Sequence, residues 1–476
     1  MNTNEKMASA PIFPLLLSLA IPAIVAQLVN ILYNMVDRIY IGRLENGTEA
    51  MAALSVSIPI ITAIAAFTQL VGTGGAPLCA IKLGEKDKDK AEEIMTTSFA
   101  LLLAVGVIIT IVLLFFHKPL LLMFGADDKT LGMASEYISI YAVGTLFVQV
   151  TLGMNAYINT QGYAKIGMST VLIGAVCNII LDPIFIFALN MGVAGAALAT
   201  ILSQGISCFW VMKFLFGSKS VIRIRKKYLW ISFKTAGAIV ALGISPFIMT
   251  ITESFLQISF NNQLLKYGGT VAVATMAILI SLWQFIMLPL QGFCQGAQPI
   301  ISYNYGAKIY SRVRKAFKIT LLVCLGFALV SVSIMSWQAK TFVSLFSTEA
   351  ETITVAAWAL KIFIAGGIIF GAQIACQQTF LALGQAKISL LMAITRKIIL
   401  LIPLIYLMPR LFGKTEVAMK LSEEISNYVI DGGGVFSVLA SEPVSDIIAA
   451  CITSYCFFCY YRKNLTRKDE MENKEV

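Results

Sequence analysis

The sequence contains very little charge: Asp, Glu, Lys and Arg together make up 13% of its 476 residues, whereas hydrophobic residues make up 58%. A soluble domain is usually about half apolar and about a quarter charged. The chain therefore has too few polar side chains to cover a water-exposed surface, and its mean hydropathy of +0.81 agrees. This composition excludes a soluble protein and predicts an integral membrane protein.

Residues suited to metal or nucleophilic chemistry are also scarce. The single histidine, His117, stands beside Lys118 and Pro119, where we expect the edge of a loop. The nine cysteines lie in apolar stretches without metal-ligand spacing, so we interpret them as buried apolar side chains rather than disulfides. The sequence has no His cluster, no Ser-Lys dyad at matched depth and no Gly-rich phosphate loop. These absences argue against an intramembrane enzyme and imply no cofactor.

Long apolar runs are what the sequence has instead. A spanning helix needs about 20 mostly apolar residues. The first run is too long for the core of a cleaved signal peptide, so we interpret it as the first span. We predict twelve spans, near residues 15–41, 50–82, 92–116, 132–160, 166–188, 192–216, 235–260, 270–304, 314–338, 354–382, 388–409 and 435–461. Because twelve is even, both termini should lie on the same side of the membrane.

Basic residues exceed acidic residues by ten, 36 against 26. Most of them fall in loops on the terminal side, such as KLGEKDKDK, KSVIRIRKKY and AKIYSRVRKAFK, and in the tail. Cytoplasmic loops of membrane proteins carry such an excess. The excess therefore predicts that both termini lie in the cytoplasm, rather than that the protein has a nucleic-acid partner.

The two halves of the chain repeat each other. Ala76-Pro77 returns as Gln298-Pro299, and TQGYAKIG is mirrored by ALGQAKIS, at a separation of about 222 residues. Such a repeat predicts an all-α membrane fold of twelve helices in two six-helix lobes, related by a pseudo-two-fold axis along the membrane normal. The predicted segments are an amino-terminal lobe (1–216), a cytoplasmic linker (217–234), a carboxyl-terminal lobe (235–461) with an external insertion (413–432), and a cytoplasmic tail (462–476).

Ionisable residues within spans are costly and mark candidate functional sites. Asp182 has Asn178 four residues before it, on the same helical face. Pro183 removes a backbone donor and should bend the helix. Counted along their spans, Asp37, Asp182 and Thr200 lie at similar depth in the external half of the bilayer.

Two carboxylates, an amide and a hydroxyl form an all-oxygen set that suits a proton or a small hard cation. A simpler interpretation is that Asp182 pairs with Arg38 or caps a bent helix. The second half places Ile402-Pro403 where Asp182-Pro183 stands, so the bend does not require the acid. This favours a functional carboxylate at Asp182.

The second half carries its own charges within spans. Glu253, Lys361 and Glu442 are predicted at a comparable external depth, where a structural cluster and a binding role are both open. Arg396, Lys397 and Asp446 are interpreted as structural ion pairs.

Four stretches resemble the MATE (multidrug and toxic compound extrusion) family. PAIVAQLVNILYNMVDRIYIGRL and ALSVSIPI are similar to its first two helices, and NIILDPIFIF and GVAGAALAT to its fifth and sixth. The resemblance implies a cation site at Asp37, Asn178, Asp182 and Thr200, with a carbonyl from Ala196, and a first helix that bends at Pro22. It implies a proton or sodium ion at Asp37 and Asp182. Glu253 matches an acidic residue in the seventh helix of one branch and is a candidate second-lobe site.

The function predicted from the residues and the resemblance together is a proton- or sodium-coupled multidrug antiporter that works by alternating access. Its partners would be amphipathic drugs or organic cations and membrane lipids, with no nucleic acid, and the protein would be a monomer. The alternative is a lipid-linked oligosaccharide flippase of the same superfamily, whose cavity should be basic rather than acidic. A major facilitator is disfavoured because the loop after span 2 lacks that group's Asp-Arg-Gly-Arg-Arg pattern.

Overall fold

The structure is a computed structural model that describes residues 3–230 and 232–466. Within this part of the chain every regular element is helical. The α-helices are α1 (Thr3–Ser9), α2 (Ile12–Gly42), α3 (Gly47–Gly84), α4 (Lys88–Met123), α5 (Leu131–Thr160), α6 (Ala164–Pro183), α7 (Gly192–Phe216), α8 (Phe233–Gly306), α9 (Tyr310–Trp337), α10 (Ala339–Ser344), α11 (Ala350–Phe363), α12 (Gly367–Ala382), α13 (Ala386–Ile394), α14 (Ile402–Phe412), α15 (Glu416–Leu421) and α16 (Gly432–Tyr460). Three π-helical segments extend or join them: Ile184–Ala188, Thr395–Leu401 and Tyr461–Thr466.

Ten helical stretches of the described residues are long and apolar enough to cross a membrane. One of them, α8, has 74 residues, and at about 1.5 Å per residue it is more than twice as long as the hydrocarbon core is thick. It is broken at Gly269, whose φ of 67° and ψ of −159° are not helical, so it contains two spans. Helices α11 and α12 meet at a bend of 51° and form one more. The prediction of an all-α membrane fold with twelve spans is confirmed.

The chain divides into two compact units. Unit 1 comprises residues 1–250, 295–313 and 381–386, and unit 2 comprises residues 251–294, 314–380 and 387–476. The lobe boundaries drawn from the sequence repeat remain a prediction.

Unit 1 packs its helices closely through small residues. A Cβ atom added to Gly72 of α3 would lie 2.8 Å from the Cα of Gly153 in α5, so glycine at position 72 allows the two backbones to approach. The segment after α7 is fastened to α4, where the buried carboxylate of Glu92 accepts hydrogen bonds from the Arg223 backbone (3.2 Å) and from Nε of Arg225 (2.7 Å). These contacts fix the helices that carry the site described below.

Two local expectations from the sequence need correction or detail. His117 is not at a loop edge, because α4 continues through Pro119 to Met123, and its ring lies 2.8 Å from Ser135 Oγ of α5. The 413–432 insertion folds into α15 and a short 3-10 turn, Glu423–Ile425. The carboxyl end of the insertion is fixed by Asp431, whose side chain caps α16 by accepting a hydrogen bond from the Gly434 backbone (3.0 Å).

Candidate cation site

Helices α2 and α6 of unit 1 pack against each other and carry the two acids of the predicted site. Asp37 lies in the last third of α2 and Asp182 at the end of α6. The Asp182 residue is fully buried and Asp37 is only 8% exposed. Asp182 lies within the electrostatic influence of Asp37. The fold therefore brings together two carboxyl groups that are 145 residues apart in the sequence.

Asn178 is buried at the same site and contacts Asp182. Its Nδ2 donates a hydrogen bond of 3.0 Å to Oδ1 of Asp182, across one helical turn. Three oxygen atoms remain buried without a hydrogen-bond partner among the described residues: Oδ1 of Asp37, Oδ1 of Asn178 and Oδ2 of Asp182. Buried polar atoms are almost always satisfied, and an exception points to a missing proton, ion or water. The unsatisfied oxygens fit a bound proton or a small hard cation.

Tyr33 and Tyr137 lie near the two acids, Tyr141 stacks on Tyr137, and the sequence reasoning missed all three. Tyr33 lies one turn before Asp37 on α2, while Tyr137 and Tyr141 come from α5. The Tyr137 and Tyr141 rings stack with centroids 6.0 Å apart, and both residues are buried. Tyr33 and Tyr137 lie within the electrostatic influence of both acids. Phenol hydroxyls are donors and acceptors, so they add hydrogen-bonding capacity to an otherwise acidic site.

Helix α7 supplies the remaining predicted residues. Ala196 is fully buried, in the same apolar cluster as Tyr137 and Ile186, and Thr200 lies half-buried one turn later. Helix α7 approaches the π-helical segment after Asp182 very closely, since a Cβ atom added to Gly195 would lie 2.7 Å from the carbonyl of Phe185. Glycine at this position therefore allows α7 to lie directly against the segment that follows Asp182.

The pairing of Asp182 with Arg38, one half of the simpler interpretation, is not observed. Arg38 is exposed and forms no ion pair with Asp182 in the described part of the chain. Arg38 acts electrostatically on Asp37 instead. Pro22 lies inside α2, which continues helically through it, and Pro183 ends α6 where the backbone passes into the π-helical segment Ile184–Ala188. Both prolines interrupt the backbone hydrogen bonds of helices that carry a site acid.

Unit 2 contains a second set of buried charges. Arg396 donates from Nε to Oδ1 of Asp446 (2.8 Å) and from Nη2 to Oε1 of Glu442 (3.2 Å). Lys397 pairs with Glu253. Except for Glu253, whose side chain is 64% exposed, these side chains are at most 8% exposed. Arg396, Lys397 and Asp446, interpreted from the sequence as structural ion pairs, all form ion pairs in the structure.

Lys361 does not join this set. It is exposed and lines a cavity of about 290 Å³ with Trp337, Lys340, Trp358 and Glu424. The sequence grouped Lys361 with Glu253 and Glu442 by depth alone, and in the described part of the chain Lys361 forms no ion pair with either acid. Depth along a helix does not specify which way a side chain faces.

The chain matches the family model described as MatE over residues 22–184 and 246–407, one match in each half. It is 27% identical over 412 residues to the multidrug export protein MepA of Staphylococcus aureus (strain NCTC 8325 / PS 47), covering 87% of this chain and 90% of that protein. It is also 27% identical over 410 residues to MepA of Staphylococcus haemolyticus (strain JCSC1435), covering 86% and 90%.

Solved structures share the fold. One described as MATE in the bent conformation aligns with a TM-score of 0.86 and 21% identity over 99% of both chains. A MOP superfamily transporter from Pyrococcus furiosus, described as having reversed polarity in its binding pocket, aligns with a TM-score of 0.84 and 22% identity over 96% of this chain and 98% of that chain. The helical plan and the matches in both halves lead to one conclusion: the chain is a multi-pass membrane transporter that belongs to the MATE family.

Proposed function

We propose that the protein is an antiporter that exports amphipathic, mostly cationic compounds in exchange for a proton or a sodium ion. The observation that carries the proposal is the set of three unsatisfied buried oxygens on Asp37, Asn178 and Asp182. Burying two acids and an amide in a membrane protein costs free energy. A bound ion would offset that cost by satisfying their oxygens. The names of the MepA relatives support drugs as the exported compounds.

The ion site would work through charge. Two buried carboxylates cannot both stay ionised cheaply at close range, so a proton or a sodium ion that enters from outside relieves their repulsion. Oxygens of Asp37, Asn178 and Asp182 would hold the ion, with the Thr200 hydroxyl and the Ala196 carbonyl completing the set. Occupancy would change the bend of α2 at Pro22 and of α6 at Pro183.

Export follows from alternating access if the ion and the drug prefer opposite states of the transporter. Such coupling is reciprocal, so drug binding must weaken ion binding as much as the ion weakens drug binding. An acidic, poorly hydrated site attracts positive charge, which favours organic cations as cargo. We propose that the protein acts as a monomer in the bacterial cytoplasmic membrane with both termini in the cytoplasm, because of the excess of basic residues in the loops on that side.

Transport in reconstituted vesicles tests the proposal. Sodium and proton gradients are imposed separately, and the uptake of an ethidium-like dye is measured against vesicles without protein. Dye accumulation driven by either gradient supports the antiporter and names its ion. If neither gradient drives dye and the vesicles instead move lipid-linked pyrophosphate anions, the flippase alternative holds.

A further inference from the structure

The charged set of unit 2 lies on the helices that correspond to those of the cation site in unit 1. In unit 1 the site residues come from the first, fifth and sixth spans, α2, α6 and α7. In unit 2 the charges come from the first, fifth and sixth spans of the second half: Glu253 on α8, Arg396 and Lys397 on the π-helical segment between α13 and α14, and Glu442 and Asp446 on α16. The repeat has thus kept a polar site in both halves, with different chemistry.

The difference is that unit 2 carries its own cations. Arg396 and Lys397 lie among the acids, where unit 1 offers only unsatisfied oxygens. Two buried carboxylates share one guanidinium, because Glu442 and Asp446 both pair with Arg396, whereas Lys397 pairs with Glu253, whose side chain is 64% exposed. With both carboxylates ionised, the group formed by Arg396, Glu442 and Asp446 would carry one surplus negative charge. An uncompensated buried charge is strongly disfavoured, so the set favours one further positive charge.

One atom shows where that charge would go. Oδ1 of Asp446 accepts the hydrogen bond from Arg396, but Oδ2 is buried and has no hydrogen-bond partner among the described residues. Glu442 stands one turn before Asp446 on the same face of α16, and the same guanidinium contacts both acids. The Arg396 guanidinium also lies 4.3 Å from the centroid of the Phe370 ring, which limits its movement.

We propose that unit 2 holds one exchangeable proton, shared by Glu442 and Asp446 and fixed in place by Arg396. The charged groups that act on this pair are Arg396, Lys397 and Glu253. The proton binds a carboxylate oxygen from bulk water and returns to it, and no other bond changes. This goes beyond the proposed function, because the site in unit 1 can couple export with or without it.

The fold around the pair is built to respond to its charge. The backbone at the bend between α11 and α12 touches α16, since a Cβ atom added to Gly366 would lie 2.8 Å from Cα of Pro443 and 3.0 Å from Cβ of Asp446. Loss of the proton pulls Arg396 more strongly toward α16, and Arg396 stands in a π-helical segment, a helix form that is common at functional sites. The protonation state of the pair therefore acts on the bend of the tenth span and on the eleventh span.

Proton binding by the purified full-length protein tests the inference directly. A weakly buffered sample is titrated between about pH 6 and pH 9, where ordinary carboxyl groups stay ionised. The wild type is compared with Glu442→Gln, Asp446→Asn and the double variant, all of which imitate the protonated form and should fold. Glu351→Gln, which removes an exposed carboxylate of α11 in the same unit, is the matched control.

The expected result is a loss of about one bound proton in Glu442→Gln, in Asp446→Asn and in the double variant, with no change in Glu351→Gln. The infrared band of a protonated carboxyl group should weaken in the same variants. The titration is repeated in an Asp182→Asn background, where the loss caused by Asp446→Asn should persist. If Asp182→Asn alone removes all proton uptake in this range, or Asp446→Asn removes none, the inference is wrong, and the proposed function is untouched.

Discussion

Asp182→Asn is the substitution that separates coupling from folding most cleanly. Asparagine keeps an oxygen that can accept the 3.0 Å hydrogen bond from Nδ2 of Asn178. It removes the charge and replaces the unsatisfied Oδ2 with an amide nitrogen. Because the site then contains one buried acid instead of two, the variant should express and fold as well as the wild type. Any loss of export therefore reports on the ion and not on the fold.

The size of the effect follows from the charges of the site. A tenfold ion gradient supplies about 1.4 kcal/mol for each monovalent ion exchanged, and that energy supports about a tenfold gradient of substrate. Two carboxylates bind at most two protons. A gradient of one pH unit should therefore drive the wild type to accumulate dye about tenfold to about a hundredfold. Asp182→Asn should bring the accumulation ratio to about one, and its drug release should become insensitive to pH and sodium.

The assay compares dye accumulation by vesicles that contain the wild type, Asp182→Asn, Asp37→Asn or both changes. Each single variant should lose gradient-driven accumulation, and the double variant should be little worse, because the two acids act as one site. Asp128→Asn, an exposed acid between α4 and α5, should accumulate dye like the wild type. Normal gradient-driven accumulation by Asp182→Asn would remove this site from the coupling mechanism and make Glu253 the next candidate.

Three further changes test the structure around the site. Gly195→Ala should leave the protein folded but lower gradient-driven export at least tenfold, because the new methyl group would push α7 away from the Phe185 carbonyl. Dye uptake per folded molecule measures this effect, and unchanged uptake would contradict it. Glu92→Ala should lower the free energy of unfolding by about 1–2 kcal/mol, since Arg225 and a backbone amide lose a buried acceptor; thermal unfolding should show a lower midpoint, and an unchanged midpoint would count against the contact. Lys420→Cys in a chain without other cysteines should react with an impermeant thiol reagent in intact cells; reaction only after permeabilisation would place the insertion in the cytoplasm.

The plan of twelve helices could be predicted from the sequence because two independent patterns agree on it. Apolar runs of about 20 residues give the number of spans, and the constant offset of the repeat divides them into two sets of six. Ends of helices were predicted less well. Helix α4 runs to Met123, past His117 and Pro119, since a proline near the end of a long membrane helix does not have to stop it.

The acids of the cation site could also be predicted, because Asn178 and Asp182 are spaced by one helical turn and Asp37 lies at the same depth. The tyrosines could not. Tyr137 and Tyr141 have the same spacing of four residues, but the proximity of Tyr137 to the acids depends on how α5 packs in unit 1. Tyrosine is common in membrane proteins, and a pair of them in one span carries no sign of its partners.

The charges of unit 2 show the limit of helical periodicity, which predicts different surroundings for two neighbouring residues but does not identify their partners. In a regular α-helix, neighbouring residues point about 100° apart, so Arg396 and Lys397 would be expected to serve different surroundings. Both are buried, Arg396 against α16 and Lys397 against α8, and both stand in a π-helical segment. A π-helical turn holds an extra residue and shifts the face of every residue after it, and nothing in the sequence marks where that shift occurs. Sequence reasoning could therefore identify Arg396 and Lys397 as buried ions. Which acid each of them contacts depends on the π-helical shift, and that shift is visible only in the folded chain.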